Sequence, residues 1–438
     1  MKKVFDFNNV FVRLHGAEVL KSINWIVTKG QNWVILGLNG AGKSTLVKSI
    51  FEDFPYSGEK NCIYSSHEIG YVSFDIEKKI LTSPPFIDIA NNLQLRKRPL
   101  QDLSTLSTGQ MRQLIIARAL DKKPKLLILD EPFDGLDEKS RVEFKKIITD
   151  LMKGIQILLI THRFDEILDG FSRILVLHNG KVFAEGKRTE ILNNKKVREL
   201  FEHEPVSLNN IFKKRKPILP RNLIDMKNVT VCYGDKVIFK KFNWVMKRGE
   251  NWAILGPNGA GKTSLLRLIT GDNLQAYSQN IKIFGRQKGT GESVWDIKKN
   301  IAEVSGDIQI KFQKSITVLE VVESGFFDSI GLFRKATSKQ YKIAKNWISR
   351  LGLNNLKDHK FAVLSQGQQR MVIIARAMVK SPLLLILDEP TTGLDMKNRK
   401  KILELIDLIG TDSDTQLIFV THYKDEIPKS ITKALDLY

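Results

Sequence analysis

The distribution of apolar residues along the chain predicts strands of two kinds, joined by helices. Near the start of each half, short segments alternate apolar and polar residues, which is typical of strands with one buried face. Later segments are almost continuously apolar and strand-sized, and they read "WVILG", "KLLILD" and "IQILLITH", then "WAILG", "LLLILD" and "TQLIFVTH". Such strands are buried on both faces of a mainly parallel sheet that is covered by helices. The pattern therefore predicts an α/β fold.

The order of these elements occurs twice in the chain. A stretch that begins at Phe7 and contains "WVILGLNGAGKSTL" is repeated from Met226, where it contains "WAILGPNGAGKTSL". A repeat of this length indicates two domains of one design. We place the first domain at residues 1–203 and the second at 222–438. Residues 204–221 are rich in proline and charge and are interpreted as the linker.

Composition limits the class of protein without identifying it. The chain has 438 residues, 42% of them hydrophobic, and only two cysteines, so neither a disulfide framework nor a cysteine metal site is indicated. No apolar run approaches the ~18 residues of a membrane helix, and no signal peptide is readable, which predicts a soluble cytoplasmic protein. The net charge of +21 suits an anionic partner such as nucleic acid, the ribosome or a membrane face, but lysine-rich composition also explains it.

Two glycine-rich segments carry the most specific chemistry. "GLNGAGKS" and "GPNGAGKT" both fit G-x-x-x-x-G-K-[ST] (Walker A, the P-loop), and each lies between a buried strand and a predicted helix. Glycines let backbone N–H groups surround phosphate oxygens, the lysine reaches the β- and γ-phosphates, and the hydroxyl after it is a ligand for Mg²⁺. The predicted nucleotide-binding residues are Gly37, Asn39, Gly40, Gly42, Lys43, Ser44 and Thr45, and Gly256, Asn258, Gly259, Gly261, Lys262, Thr263 and Ser264.

Acidic residues and a histidine follow the apolar strands of each half. An aspartate ends one strand, a glutamate comes directly after it, and a histidine follows the next strand: Asp130, Glu131 and His162, then Asp388, Glu389 and His422. The aspartate is suited to hold Mg²⁺ and the glutamate to orient the attacking water. An acidic pair can also simply stabilise a helix N-terminus. Because a phosphate loop precedes the pair in both halves, we favour the catalytic interpretation.

A second repeated motif, "LSTGQ" and "LSQGQ", begins an amphipathic helix in each half. Its serine and glutamine have the spacing of a capping box, which is a purely structural explanation. Its glycine leaves the backbone bare at a helix N-terminus, which is also a phosphate-binding surface. Since each half already has a phosphate loop, this surface suits the nucleotide of the other half. The residues concerned are Ser107, Gly109 and Gln110, and Ser365, Gly367 and Gln368.

Together these motifs resemble the ATP-binding cassette (ABC) ATPases over essentially the whole chain. The resemblance implies tandem nucleotide-binding domains with a P-loop core and added antiparallel β and helical subdomains, and ATP and Mg²⁺ as ligands. It identifies Ser44, Asp130, Thr263 and Asp388 with the metal site, and Glu131, Glu389, His162 and His422 with the catalytic residues. "GLD" in each half matches the D-loop, at Asp137 and Asp395.

The family arrangement implies two ATP molecules between head-to-tail halves. Each would be held by the phosphate loop of one half and the "LSxGQ" signature of the other. Lys43 would then share a site with Ser365 and Gly367, and Lys262 with Ser107 and Gly109.

Three features depart from the family pattern. Phe74 and Gly306 stand where a glutamine is expected, and Asp75, Asp307 and Gln309 are the candidate substitutes. Tyr233 matches the aromatic residue that stacks on adenine, whereas the first half has Leu14 there, with His15 beside it. The first half also has only 64 residues from phosphate-loop lysine to signature serine, against 103 in the second, which indicates a shortened helical subdomain.

A narrower likeness points to the soluble tandem ATPases of the ModF and photorepair PhrA kind. It rests on "ESVWDIKKNIAEVS", "VLEVVESGFFDSIGLF" and "LSQGQQRMVIIARAMVKSPLLLILDEPTTGLD". This resemblance implies an ATPase linked to molybdate or another oxyanion. Two other roles stay open: the energy module of an importer with separate membrane subunits, and an ABC-F-type translation factor acting on the ribosome. The altered glutamine positions argue against the first, and the short, proline-broken linker argues against the second.

Overall fold

The computed structural model describes the residues 2–14, 16–52, 54–73, 108–201, 220–291, 294–312 and 316–437. The chain divides into two compact units, Met1–Glu202 with Asp395–Lys397, and His203–Leu394 with Asn398–Tyr438. The predicted linker lies outside the described residues except for its last two positions. His15, Phe74, Asp75 and Ser107 also lie outside them, as does the segment predicted to form the shortened helical subdomain.

Two sheets form the first unit. An antiparallel sheet has the order β2-β1-β4, and a larger sheet has the order β5-β6-β7-β3-β8-β9, in which all neighbours are parallel except β8 and β9. The strands are β1 Lys3–Leu14, β2 Ala17–Thr28, β3 Trp33–Gly37, β4 Tyr56–Cys62, β5 Ile69–Ser73, β6 Leu126–Asp130, β7 Gln156–Thr161, β8 Arg173–His178 and β9 Lys181–Lys187. The helices are α1 Lys43–Phe51, α2 Thr108–Asp121, α3 Glu138–Leu151, α4 Arg188–Asn193 and α5 Lys195–Leu200.

The larger sheet of the first unit is buried on both faces, as its continuous apolar strands predict. On β3, Trp33 and Ile35 pack into a core shared with α1 and the antiparallel sheet. Val34 and Leu36 point the other way, into a core shared with α2 and α3. Every residue of β3 is buried. Alternate side chains of one strand therefore serve two cores, which explains why these strands have no polar face.

The second half repeats this plan. Its antiparallel sheet has the order β11-β10-β13-β14, and its parallel sheet has the order β15-β16-β17-β12-β18. The strands are β10 Asn222–Tyr233, β11 Lys236–Lys247, β12 Trp252–Leu255, β13 Asn280–Ile283, β14 Arg286–Gln287, β15 Ile301–Val304, β16 Leu384–Asp388, β17 Gln416–Thr421 and β18 Lys433–Asp436. The helices are α6 Lys262–Thr270, α7 Val294–Lys298, α8 Gly306–Lys311, α9 Val318–Ser324, α10 Ser338–Arg350, α11 Gln366–Met378 and α12 Met396–Asp412. The α/β fold expected from the sequence is confirmed in both halves.

One face of the second parallel sheet carries a helical layer. Val321 of α9, Trp347 of α10 and Val372 of α11 share a core with Leu385 and Phe419 of the sheet. Helix α10 begins at a complete capping box made by Thr337 and Gln340, so local sequence fixes where it starts. This layer positions the signature helix α11 against the strand ends that carry the acidic residues.

Candidate functional site

Both glycine-rich loops connect an interior strand of a mainly parallel sheet to the N-terminus of a helix. In the first half β3 ends at Gly37 and α1 begins at Lys43. Gly42 and Gly261 precede the two helices with φ of 97° and 94°, the left-handed region that favours glycine. The first N–H groups of each helix lack intrahelical partners and form a positive end suited to phosphate. The other predicted binding residues lie in or directly after these loops: Asn39, Gly40, Ser44 and Thr45, and Gly256, Asn258, Gly259, Thr263 and Ser264.

Each loop lysine folds over its own loop. The Nζ of Lys43 donates to the carbonyl oxygens of Gly37 and Leu38 at 2.9 and 3.2 Å. The Nζ of Lys262 donates to those of Gly256 and Pro257 at 2.7 and 3.1 Å. Both lysines are buried. The ammonium groups therefore sit at the centre of the loops, where phosphate oxygens can replace carbonyl oxygens as their acceptors.

Asp130 lies beside two hydroxyl groups in the first half. Tyr71 on β5 donates from Oη to Oδ2 of Asp130 at 2.8 Å, and the hydroxyl of Ser44 also hydrogen-bonds this carboxylate. Burial raises the pKa of Asp130, although both hydroxyl groups oppose the shift. The other oxygen, Oδ1, is buried and has no hydrogen-bond partner among the described residues. The role of Tyr71 was not predicted; its strand pairs with the one that ends at Asp130, which only the sheet register reveals.

Asp388 has a more acidic neighbourhood in the second half. Burial and the nearby carboxylates of Glu389, Glu303 and Asp307 raise its pKa to about 6, against the ammonium of Lys262. Glu303 occupies in "IAEVS" the place that Tyr71 occupies in "IGYVS". A hydrogen-bond donor in one half is thus replaced by a like charge in the other.

Glu131 lies between a lysine and a histidine. Its Oε1 is 3.3 Å from the Nζ of Lys43, and its Oε2 is 2.9 Å from the Nδ1 of His162. Burial alone would raise the pKa of Glu131, but His162 and Lys43 outweigh it and lower the pKa to about 2. Burial likewise opposes the charge on His162, yet Glu131, Asp134 and Glu166 raise the pKa of that imidazole. Asp134 was not predicted from the sequence.

Glu389 makes the corresponding histidine contact in the second half. Its Oε1 is 3.2 Å from the Nδ1 of His422, and Thr392 donates to its Oε2 at 3.4 Å. Against burial, His422, Lys262 and Thr392 lower the pKa of Glu389. Both glutamates hold a left-handed backbone, with φ of 50° at Glu131 and 46° at Glu389. Backbone strain of this kind in a non-glycine residue is typical of functional sites.

Both histidines also present a free ring nitrogen. The Nε2 atoms of His162 and His422 are buried and have no hydrogen-bond partner in the part of the chain that the structure describes. Since a buried polar atom without a partner costs about 1–3 kcal/mol, an arrangement found at the same position in both halves is suited to a ligand.

The signature helix of the second half begins as the sequence predicts. Ser365 caps α11, with its Oγ accepting from the backbone N–H of Gln368 at 3.3 Å, while Oε1 of Gln368 accepts from the N–H of Ser365 at 3.0 Å. A Cβ on Gly367 would lie 2.4 Å from the side chain of Asn398, so this glycine is also required by packing. In the first half α2 contains Gly109 and Gln110, and Gly109 faces Ser140 in the same way.

Four further predicted residues have different placements. Asp137 caps α3, its Oδ1 accepting from the N–H of Ser140 at 2.8 Å, and Asp395 is buried. Tyr233 is 46% exposed at the end of β10, and its Oη accepts from Asn273 at 3.1 Å. Leu14 ends β1 and is half-buried.

The candidate substitutes for the missing glutamine in the second half have separate environments. Gln309 donates from Nε2 to the Oε1 of Gln369 at 2.8 Å. Asp307 instead lines a cavity of about 690 Å³ together with Lys262, Asp388 and Glu389. Asp307 therefore lies near the candidate catalytic groups. Arg370 of α11 lines the same cavity and was missed, although "LSTGQMR" and "LSQGQQR" both have arginine at this position.

Comparisons with known proteins agree with this architecture. The family described as "ABC transporter" matches residues 20–134 and 239–392. The ABC transporter ATP-binding protein ModF of Escherichia coli K12 is 34% identical over 97% of this chain and 94% of its own length. The chain belongs to the ABC transporter family. It is an ABC ATPase, which binds and hydrolyses ATP, and its tandem cassettes are ModF-like.

Two other relatives of this ABC ATPase also extend over nearly the whole chain. An uncharacterized ABC transporter ATP-binding protein of Schizosaccharomyces pombe is 28% identical over 95% of this chain and 94% of its own length. The xylose import ATP-binding protein XylG of Thermoanaerobacter pseudethanolicus is 27% identical over 97% of this chain and 92% of its own length. Within the part of the chain that the structure describes, no helix is long and apolar enough to cross a membrane.

Proposed function

We propose that MgATP binding closes the two halves of this ATPase on each other and that hydrolysis lets them open. Each ATP would be held by the phosphate loop of one half and the signature helix N-terminus of the other, so that its γ-phosphate contacts both. ATP then binds the closed form more tightly than ADP does, and this difference is the free energy available for work. The domain boundaries 1–203 and 222–438 belong to the same proposal.

The observation that carries the proposal is the chain of groups at Glu131. A carboxylate held between the ammonium of Lys43 and the imidazole of His162 stays ionised at neutral pH, as its lowered pKa requires. An ionised carboxylate can orient a water and accept its proton. The unpartnered Nε2 of His162 is available to donate to the γ-phosphate. Glu389 and His422 would act in the same way in the second site.

The residues present fit a magnesium ion. Asp130 has one buried oxygen without a partner beside the hydroxyl of Ser44, and hard oxygen donors of this kind suit Mg²⁺. Asp388 and Thr263 are the corresponding pair in the second half and line one cavity. Bound there, Mg²⁺ would neutralise charge on the β- and γ-phosphates. Lys43 and Lys262 would exchange their carbonyl acceptors for phosphate oxygens.

Replacing both glutamates tests the mechanism. The Glu131→Gln/Glu389→Gln protein should bind ATP, remain in the closed form and lose steady-state ATP hydrolysis. Because glutamine keeps the size of the side chain but cannot accept a proton, binding and turnover should separate. Turnover equal to that of the unchanged protein would refute the assignment of the two glutamates. A control with Lys43→Ala/Lys262→Ala should lose ATP binding itself.

For the cellular role, we propose a ModF-like ATPase that acts at the cytoplasmic side of a membrane and is linked to molybdate or another oxyanion. The similarity to ModF over 97% of the chain supports this assignment. The ATP-loaded Glu131→Gln/Glu389→Gln protein, used as bait with an ADP-loaded control, should capture a partner whose loss alters molybdate uptake. Unchanged molybdate uptake in cells lacking the protein would reject the oxyanion role.

A second candidate is the energy module of an importer with separate membrane subunits. It is favoured by the similarity to XylG, a protein named for xylose import, over 97% of this chain. In that case the same bait should capture a multi-span membrane protein in the absence of any molybdate phenotype. Recovery of ribosomal proteins instead would favour the translation-factor alternative, which the net charge of +21 suits.

A further inference from the structure

Arg370 is a buried cation with no hydrogen-bond or salt-bridge partner among the described residues. It lies on α11, is 5% exposed, and its Nε and Nη1 atoms make no hydrogen bond. Among the described residues it forms no salt bridge. Burying a guanidinium in this way costs several kcal/mol unless an anion accompanies it. The position of Arg370 therefore requires an explanation beyond packing.

Arg370 lies among the residues proposed to bind MgATP and to orient the attacking water in the second half. It lines the 690 Å³ cavity together with Lys262, Thr263, Asp388 and Glu389. Burial lowers the pKa of Arg370 to about 10, while the carboxylates of Asp388 and Glu389 oppose that shift. The side chain is therefore a cation at neutral pH. Its planar set of N–H donors matches the oxygens of a phosphate group.

The matching arginine of the first half has a different use. Arg112 donates to the backbone carbonyl oxygens of Pro132 and Asp134, so it braces the loop that follows the acidic strand. Among the described residues Arg370 makes no such hydrogen bond to the corresponding loop, and its cavity contains Glu303 where the first half has Tyr71. The second site thus combines an extra carboxylate with a guanidinium that its protein neighbours leave unsatisfied.

We propose that Arg370 is a catalytic residue of the second site and binds the γ-phosphate of the ATP held by the Lys262 loop of the same half. A guanidinium that lines the same cavity as the loop lysine can donate two hydrogen bonds to a terminal phosphate, and it stabilises the charge that develops there during hydrolysis. ADP has no γ-phosphate, so Arg370 distinguishes ATP from ADP. In the first half the matching arginine, Arg112, is already engaged by backbone carbonyl oxygens.

The alternative is that Arg370 only balances the charges of Asp388 and Glu389. That role affects ATP and ADP equally, because the carboxylates are present with either nucleotide. The ratio of the two affinities therefore separates the alternatives.

The test uses the full chain with the first site silenced by Lys43→Ala and hydrolysis prevented by Glu389→Gln. In this background Arg370→Met should weaken binding of MgATP about 10- to 100-fold, the loss expected for charge-assisted hydrogen bonds, and change ADP binding by less than about threefold. Arg370→Lys should retain part of the ATP preference. Isothermal calorimetry with ATP and ADP gives both constants.

Arg112→Met is the matched control. It should lower the melting temperature but leave the ATP-to-ADP ratio of the second site unchanged. If Arg370→Met does not bind ADP, the ratio of ATP to ADP affinity is measured in Arg370→Lys and Arg370→Gln instead. An unchanged ratio in the Arg370 variants, or equal losses for ATP and ADP, overturns the inference.

The inference rests on the Lys262 loop being the ATP cradle, which is part of the proposed function. Its failure is distinguishable from failure of that function. If Lys262→Ala abolishes binding but Arg370 variants keep the ATP-to-ADP ratio, only the inference is wrong. If Lys262→Ala leaves binding intact, the proposed site itself is wrong.

Discussion

The phenolic hydroxyl of Tyr71 donates a hydrogen bond to Oδ2 of Asp130 over 2.8 Å. The second half has Glu303 at the corresponding position, and its carboxylate instead raises the pKa of Asp388. The two candidate magnesium sites therefore differ in one neighbour. Tyr71 stabilises the ionised form of Asp130, whereas Glu303 opposes ionisation of Asp388.

Removing the Tyr71 hydroxyl should destabilise the first half. Tyr71→Phe keeps the ring packed against Phe51, whose centroid is 5.3 Å away, but deletes the donor to Asp130. We expect the free energy of unfolding to fall by about 1 kcal/mol, measured by urea denaturation at pH 7. Tyr64→Phe is the control, because that half-buried tyrosine donates no hydrogen bond from Oη within the described residues. Equal effects of the two substitutions would contradict the assigned hydrogen bond.

Neutralising Asp388 should stabilise the nucleotide-free protein in a pH-dependent way. Its pKa in the folded state is about 6, against an ordinary value of 3.8, so the folded state binds the proton more tightly than the unfolded state. The stability that this carboxyl contributes is fully present below pH 3.8 and is lost as the pH rises through about 6. Asp388→Asn should therefore raise the free energy of unfolding by roughly 1–3 kcal/mol at pH 7 and by less at pH 5.

Urea denaturation at the two pH values, without nucleotide or metal, measures this difference. Asp425→Asn serves as control, because Asp425 is exposed and should give little change at either pH. A stabilisation by Asp388→Asn that is the same at pH 5 and pH 7 would show that the pKa of Asp388 is not raised.

Alanine at the two signature glycines should have unequal effects. At Gly367 a Cβ would lie 2.4 Å from the side chain of Asn398, whereas at Gly109 the nearest atom is Oγ of Ser140 at 2.9 Å. Alanine gains up to about 1 kcal/mol of helix propensity in either helix. Overpacking costs about 1–3 kcal/mol, so Gly367→Ala should be clearly destabilising and Gly109→Ala nearly neutral. Thermal unfolding of both variants compares them, and a larger loss for Gly109→Ala would contradict the packing argument.

Replacing the two candidate catalytic glutamates one at a time should separate the two sites. Glu131→Gln and Glu389→Gln should each leave ATP hydrolysis at the other site measurable. The rate of ATP hydrolysis by the double variant should fall by at least about 100-fold, as expected when a general base is lost. Steady-state phosphate release measures all three proteins, and ADP affinity checks that the sites remain intact. Full loss of turnover in either single variant would mean that the sites do not act independently.

The sequence determined the fold class and the local chemistry of this ATPase. The strands, the phosphate loops, the capping box of Ser365 and the adjacent aspartate and glutamate at each strand end are all encoded by residues a few positions apart. Hydrophobic periodicity, glycine conformation and helix capping act over that range, so reading along the chain recovers them. The family follows from the same motifs.

Only the tertiary structure decided which of these residues come into contact and which of their polar atoms lack a hydrogen-bond partner. Tyr71 reaches Asp130 across 59 positions of sequence because β5 lies beside β6. The arginines at 112 and 370 have the same sequence context, yet one donates to backbone carbonyl oxygens and the other lines a cavity with atoms left unbonded. Burial, hydrogen-bond satisfaction and pKa depend on groups that packing brings together from distant segments, and no local pattern specifies them.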